Sequence, residues 1–457
     1  MIPVKISEIL EATGGTLLAG DVEAEVTGVT SDSRKIEDGV LFVAICGANF
    51  DGHTFVNQAL AQGATCALVE KEVVLATSKS VILVENTVRA MGAVARVVME
   101  KLAVPTVGLT GSVGKTTTRD MTYAVMSAKY HTLKNDGNFN NEIGVPLTVF
   151  KADETVEAAV IEMGMDCFGE IDRLSKIVQP DAAIVTNIGM SHIERLGSQE
   201  NIYKAKSELF ANTKQDGVVI LNGDDDILMA HKDEIAQKVI TVGRKNQNAD
   251  LVATDISSDE NSVTFHAKGM GVEFTVTLPV PGEHNVTNAL EAAACGLYFG
   301  VSAEQIVAAL SDFALTKMRM DIIECERITI INDCYNAAPA SIEAALAVLG
   351  KREDRKVAIL GDIGELGAYS YEAHRGLGSA VVKNNIDFLV TIGEKARYIA
   401  EGAFLNGMDS MNILSVDTVE EAYPHLSEEL KDKDVVLVKA SRFMGLERIT
   451  EFLKHNF

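Results

Sequence analysis

No stretch of the chain approaches the roughly 18 uninterrupted apolar residues that a membrane-spanning helix needs. The first residues, Met1 to Glu8, lack the basic start and apolar run of a secretory leader. Together these absences imply a cytoplasmic protein. Cysteine is sparse: six residues, at 46, 66, 167, 295, 325 and 334, with no Cys-x-x-Cys pair. Scattered in this way, they read as small buried hydrophobes and not as a disulfide framework or a zinc site. Positive charge is also short. The 41 Lys and Arg face 65 Asp and Glu, for a formal charge of −24. A surface of that sign repels nucleic acid, so any anionic substrate has to be met by local lysines and arginines. There is no short internal repeat and no low-complexity segment, and nothing demands more than a monomer.

What the chain does have is length and one phosphate-loop pattern. At about 150 residues per domain, 457 residues imply about three domains. Val104 to Leu109 is an apolar, β-branched run that reads as a buried strand. Thr110-Gly111-Ser112-Val113-Gly114-Lys115-Thr116-Thr117 follows, and from Thr117 to Lys129 apolar residues recur at helical spacing. Strand, glycine turn, Lys-Thr and helix is the order in which a phosphate cradle is built. The glycines let backbone amides approach phosphate oxygens, Lys115 reaches the terminal phosphates, and the Thr116 hydroxyl suits Mg²⁺. One departure stands out. The GxxxxGK[ST] pattern asks for glycine at 109, where this chain has Leu109.

The expected fold is α/β in three domains. Residues 1–84 form a small α/β domain with strands near 26–29, 40–44, 66–69 and 81–84. A helix at about 87–102 leads into residues 85–314, a central phosphate-loop domain with a doubly wound, mainly parallel sheet. Its stretch from 251 to 280 alternates in a β-rich pattern and reads as an antiparallel flap. Residues 315–457 form a Rossmann-like α/β domain with strands near 328–331, 357–360, 388–392 and 435–438.

In such sheets ligands gather beyond the carboxyl ends of strands. Glu162 follows the apolar run Ala158 to Ile161, and His192 lies shortly after the run Ala182 to Thr186. Mg²⁺ prefers oxygen, so Glu162 is the more natural ligand and His192 the less usual. Lys204 and Lys206 are two apart on an expected helix, so one can face solvent while the other faces the site. Two N-terminal patches, Ser31-Asp32-Ser33-Arg34 and Gly47 to His53, offer groups suited to a nucleotide diphosphate, but they read equally well as surface turns.

The ordered set of tracts resembles the Mur ligases, a family of ATP-dependent amide-forming enzymes of peptidoglycan precursor synthesis. Shared features are the short phosphate loop, Thr186-Asn187-Ile188-Gly189 with His192, Lys204-Ala205-Lys206, and His284 to Ala289. Residues 137–146, 333–339, 360–367 and 439–442 resemble the branch that adds D-alanyl-D-alanine to a UDP-N-acetylmuramoyl-tripeptide. The short loop of the family also accounts for Leu109.

The resemblance implies ATP and Mg²⁺, with Gly111 to Thr117 holding the phosphates, Thr116 one magnesium, and Glu162 and His192 a second. It implies that Lys206 is carbamylated, as an N-carboxylysine, which requires a neutral amine. Asn288 is implied at the adenine, Arg319 at the phosphates, and Asp333 at the ribose, with Tyr335 and Asn336 beside them. Ser31, Ser33, Arg34, Gly47, Asp51 and His53 are implied at the UDP-sugar, and Asn138, Asn140 and Asn141 at the peptide. Lys439, Ser441 and Arg442 are implied on a face that closes over the amine substrate, with a hinge near Thr316 to Met320. Rival readings are a ligase that adds the third amino acid, a folate-polyglutamylating ligase, and a nucleotide-dependent switch. A nicotinamide enzyme is disfavoured because Ile363 breaks the G-x-G-x-x-G spacing at Gly361-x-x-Gly364-x-x-Gly367.

Overall fold

The computed structural model describes residues 1–47 and 50–457. The strands fall into three main sheets taken in chain order, with helices packed on their faces. The first sheet has five strands, ordered Thr16–Ala19, Ser80–Leu83, Cys66–Val69, Val40–Val43, Gly28–Thr30. All neighbours are parallel except the first pair. Helix Thr87–Leu102 then crosses to the central sheet, with bounds as the sequence implies.

The central sheet has nine strands. Thr106–Thr110 lies in its middle, between Ala158–Glu162 on one side and Ala182–Val185 on the other, and all three are parallel. Every residue of these three strands is buried, as expected for parallel strands covered on both faces. The chain leaves the first of these strands toward one edge and later returns on its other side. The loops after Thr110, Glu162 and Val185 therefore emerge side by side at a topological switch point. The β-rich stretch forms Leu251–Ser258, Val263–Gly269 and Val272–Leu278. They extend the same sheet, the first joining in parallel and the other two antiparallel. The helix after the phosphate loop spans Lys115–Ser127. It starts two residues earlier than the apolar spacing implied, because Gly114 caps it in a left-handed conformation.

A helix of small residues, His284–Tyr298, packs on Lys115–Ser127. Its run Ala292, Ala293, Ala294, Cys295, Gly296 is wholly buried, which lets the two backbones approach closely. A Cβ on Gly296 would sit 2.3 Å from Val125 Cγ1. The third sheet has six strands, ordered Asp321–Glu324, Thr329–Asn332, Val435–Lys439, Lys356–Gly361, Phe388–Ile392, Ile413–Val416, and is parallel beyond its first pair.

The cysteine reading needs correcting. Cys66, Cys295 and Cys334 are buried and Cys325 is half-buried, but Cys46 and Cys167 are exposed, and all six are free thiols. Among the described residues no helix is long and apolar enough to cross a membrane.

Candidate active site

A cleft of about 960 Å³ opens at the switch point and is roofed by the third sheet's loops. Its floor is the phosphate loop, which the strand-end loop 186–191 braces residue by residue. Ser112 N donates to Asn187 O at 3.0 Å and Val113 N to Asn187 Oδ1 at 3.0 Å. Thr186 Oγ1 and Asn187 Nδ2 both donate to Val113 O, at 2.6 and 2.9 Å. Gly189 N donates to Ser112 Oγ at 2.8 Å. Two loop positions tolerate only glycine. A Cβ at Gly111 would lie 1.9 Å from Thr186 Oγ1, and Gly114 has φ 83° with Asn288 Oδ1 2.9 Å from its missing Cβ. Thr186-Asn187 thus shapes the loop, and the loop in turn faces Asn288.

Two lysines converge on one carbonyl: the Nζ atoms of Lys115 and Lys206 each donate to Gly111 O at 2.9 Å. Lys206 is 1% exposed, whereas the Lys204 side chain is 59% exposed, so the two-residue offset resolves as the helix geometry requires. Burial, and then the neighbouring Lys115, push the Lys206 amine far below its ordinary range. Lys115 is lowered by burial too, with Glu162 pulling it back up and Arg319 lowering it. Lys206 sits behind Gly111 and off the cleft wall.

Glu162 is 2% exposed and held from all sides. Its backbone exchanges two 2.8 Å hydrogen bonds with the Asn135 side chain. Its Oε1 accepts from Asn140 Nδ2 at 2.9 Å and its Oε2 from Arg119 Nη1 at 3.2 Å. Arg119, itself 2% exposed, also binds Asp120 Oδ1 and Gly137 O. Asp120 accepts from Lys134 Nζ at 2.7 Å and, on its other oxygen, from Thr316 Oγ1 at 2.6 Å. Burial raises the Asp120 carboxyl, but Arg119, Lys134 and Thr316 outweigh it and hold the group below its usual range. Sequence reasoning missed Arg119 and Asp120. A charged pair inside a helix reads as a solvated face, and only the proximity of Glu162 and Thr316 shows otherwise.

His192 lies on the cleft wall in a left-handed conformation (φ 64°). Its Nδ1 is 2.8 Å from Glu365 Oε2 and 3.3 Å from Asp166 Oδ1. Those three residues are the group of ligand-type atoms that clusters within 4.8 Å among the described residues. Glu162 and His192, implied to share a magnesium, are therefore engaged with different partners. Thr116 and Glu162 both offer oxygen and both line the cleft, a donor set that fits Mg²⁺.

From the third sheet, the Arg319 guanidinium stacks 4.4 Å from the Tyr335 ring centre, with Arg442 at 5.9 Å from the same ring. Lys439 is not on an exposed closing face. It is 2% exposed, ion-paired to Asp333 Oδ2 at 2.5 Å and bonded to Asn336 O at 3.1 Å. Ser441 is likewise turned inward, its Oγ accepting from Gly364 N at 2.9 Å, whereas Arg442 is exposed. Asn138, Asn140 and Asn141 all line the cleft, and the Asn141 side-chain oxygen is already engaged, accepting from Gly144 N at 2.8 Å where helix Gly144–Val149 begins.

Among the described residues, neither N-terminal patch contributes to the cleft walls. They follow the adjacent parallel strands Gly28–Thr30 and Val40–Val43, and so share one edge of the first sheet. Arg34 is folded onto Asp32, whose carboxyl its hydrogen bonds lower to about 2. Lys71 and His53 hold Asp51 well below the carboxylate range. His53 is buried and spent on structure. Its Nδ1 lies 2.7 Å from Asp51 Oδ1, and its Nε2 accepts from Glu70 N at 2.9 Å, so neither nitrogen is free for a ligand. Ser31 and Ser33 are half-buried and Gly47 is exposed; Ala48 and Asn49 of the second patch lie outside the described residues.

Three family models match in succession: "Mur ligase family, catalytic domain" over 25–103, "Mur ligase middle domain" over 109–296, and "Mur ligase, glutamate ligase domain" over 318–442. The chain is 39% identical, over 99% of both chains, to the UDP-N-acetylmuramoyl-tripeptide–D-alanyl-D-alanine ligase of Bacillus subtilis. It is 32% identical to the Escherichia coli ligase of the same name, over 100% of this chain and 99% of that one. Among solved structures, MurF from Acinetobacter baumannii superposes with a TM-score of 0.91 at 33% identity, over 99% of each chain. MurF from Thermotoga maritima, solved in complex with ADP, gives 0.84 at 28%, over 94% of this chain and 97% of that one. With models matching in order along its length and relatives this similar from end to end, the chain belongs to the Mur ligase family.

Proposed function

We propose that this protein is the ATP-dependent ligase that joins D-alanyl-D-alanine to the terminal carboxylate of UDP-N-acetylmuramoyl-tripeptide. The observation that carries the reading is the end-to-end identity to ligases of that name, and the phosphate cradle with two lysines on one carbonyl supplies the chemistry. The tripeptide carboxylate attacks the γ-phosphorus of ATP, giving an acyl phosphate and ADP. Lys115 and Arg319, both on the cleft wall, offset charge on the transferring group. Mg²⁺ held by Thr116 and Glu162 would supply further positive charge at those oxygens. The dipeptide amine then attacks the acyl carbon, and the tetrahedral intermediate expels phosphate and leaves an amide. Burial and the neighbouring Lys115 push the Lys206 amine toward the neutral form whose lone pair carbamylation needs, and Lys115 lies close enough to pair with the product.

In this reading the working units are 1–84 for the UDP-sugar, 85–314 for ATP and 315–457 for closure, in the cytoplasm. The hinge is Thr316 to Met320. Met318 and Met320 both take positive φ, at 63° and 51°, which marks strain in a short connector. Small-angle scattering with an ATP analogue and both substrates should give a more compact particle than the free protein, and superimposable profiles would count against the hinge.

The decisive assay mixes the purified protein with ATP, Mg²⁺, the UDP-muramoyl-tripeptide and D-alanyl-D-alanine, and follows product mass. The pentapeptide product is expected, with labelled oxygen from the substrate carboxylate appearing in released phosphate. Coupling of single diamino acids in place of the dipeptide would overturn the acceptor assignment. Unlabelled phosphate would overturn the acyl phosphate.

A further inference from the structure

His192 is turned toward the cleft by groups that come from two different sheets. Its ring is 19% exposed, yet the Nδ1 atom itself is buried, so Nδ1 is the inward edge. Facing it are Asp166 Oδ1 at 3.3 Å, from the loop after Ala158–Glu162, and Glu365 Oε2 at 2.8 Å, from the third domain. Neither oxygen is well aligned for a hydrogen bond. Even so, two carboxylate oxygens facing that nitrogen favour a proton on it over a lone pair, which they would repel. Asp166 is shared with Arg195 at 3.0 Å, whereas Glu365 has His192 as its ion-pair partner.

The backbone around this contact is built to deliver Glu365. Glu194 N donates to Glu365 O at 3.0 Å, and Tyr369 Oη donates to Gly197 O at 3.4 Å. A Cβ on Gly367 would already press on Glu194, 3.1 Å from its Cγ. His192 and Glu365 both sit in left-handed conformations, at φ 64° and 61°, which non-glycine residues adopt only where surrounding contacts hold them there. Leu366 is buried in the same apolar cluster as Ile193 and Leu196.

We propose that Glu365 is a positioning residue for the ligase reaction: carried by the third domain, it holds a proton of His192 on Nδ1 and so sets the ring with its Nε2 edge toward the cleft. This rests on the function proposed above. The acyl-transfer wall is then complete only while the third domain is docked, which ties readiness for chemistry to exclusion of water.

The test compares Glu365→Ala and Glu365→Gln in the full chain, without nucleotide or metal. Two-bond nitrogen–proton spectra report which ring nitrogen of His192 is protonated, with His192→Gln identifying the signal. The unsubstituted protein and Glu365→Gln, whose amide oxygen can still accept, should show the proton on Nδ1. Glu365→Ala should show it moved, wholly or in part, to Nε2. In the ligase assay Glu365→Ala should lose about tenfold in kcat, with the KM for ATP changed by less than about twofold, and Glu365→Gln should recover most of the loss. An unmoved proton in Glu365→Ala overturns the proposal, as does an equal kinetic loss in both variants. If no form of the protein makes product, the function reading fails, and the spectra still decide the role of Glu365.

Discussion

Lys206→Ala is expected to lower kcat by about a thousandfold or more, while ATP affinity changes by only a few-fold. The reasoning starts from Gly111 O, which accepts from both Lys206 and Lys115 at 2.9 Å. Removing Lys206 leaves that carbonyl satisfied, and the brace from Thr186, Asn187 and Gly189 is untouched. The phosphate cradle should therefore keep its shape, and titration calorimetry with ATP should register little. What disappears is a buried amine pushed toward neutrality, the group able to take up carbon dioxide. In the unsubstituted protein, labelled bicarbonate should give a carbamate carbon signal, and stripping bicarbonate from the buffer should slow turnover. The variant should lack the signal, and added bicarbonate should not rescue it. If ATP affinity falls in step with kcat and no carbamate signal is seen even in the unsubstituted protein, Lys206 is a brace for the loop and nothing more.

Glu291→Gln should stabilise the fold, and only above mildly acidic pH. Glu291 is fully buried on the small-residue helix, where burial pushes its carboxyl from 4.5 up to about 8, with the Thr118 hydroxyl pulling it down and Asp225 adding to the rise. A carboxyl with a raised folded-state pKa is neutral in the fold and ionised in the unfolded chain. The penalty is absent below the unfolded value, grows by about 1.4 kcal/mol per pH unit above it, and levels off above the folded value. Its window is therefore pH 4.5 to about 8. Glutamine keeps an oxygen for Thr118 Oγ1, which now donates to Glu291 Oε2 at 3.0 Å, but has no charge to lose. Denaturant titrations should show a gain on the order of 3 kcal/mol near pH 7, shrinking to almost nothing near pH 4.5. A gain equal at both pH values would mean that the carboxyl is not neutral in the fold. A loss at pH 7 would mean that its second oxygen has a partner that glutamine cannot serve.

How far the sequence discloses this molecule depends on whether the cause is local. The phosphate loop is legible because a β-branched run, two glycines and Lys-Thr act within a dozen residues, and Leu109 is no obstacle to it. Lys206 separates from Lys204 on helical period alone. What stays hidden is which polar group is already taken. His53, Ser441, Lys439 and Asn141 all look free in the sequence, and each is committed to a partner that only folding brings near: Glu70 N, Gly364 N, Asp333 and Gly144 N. Arg119 is the converse case. Its charge reads as solvated, yet it is among the most deeply buried large side chains because Glu162 and Gly137 come to it from elsewhere in the chain. Glu365 falls in a tract picked out for its resemblance, but its partner His192 is far off in sequence and on a different sheet.

The bond from Thr316 to Asp120 pins the connector to the helix that follows the phosphate loop. Asp120 is enclosed by Arg119 and Lys134 on its other oxygen, so lifting Thr316 away bares a charged acceptor and begins uphill by roughly 1–2 kcal/mol. The domain motion proposed above has to break that bond before anything else moves, and it does so one guanidinium away from the Glu162 carboxylate, which Arg119 binds as well.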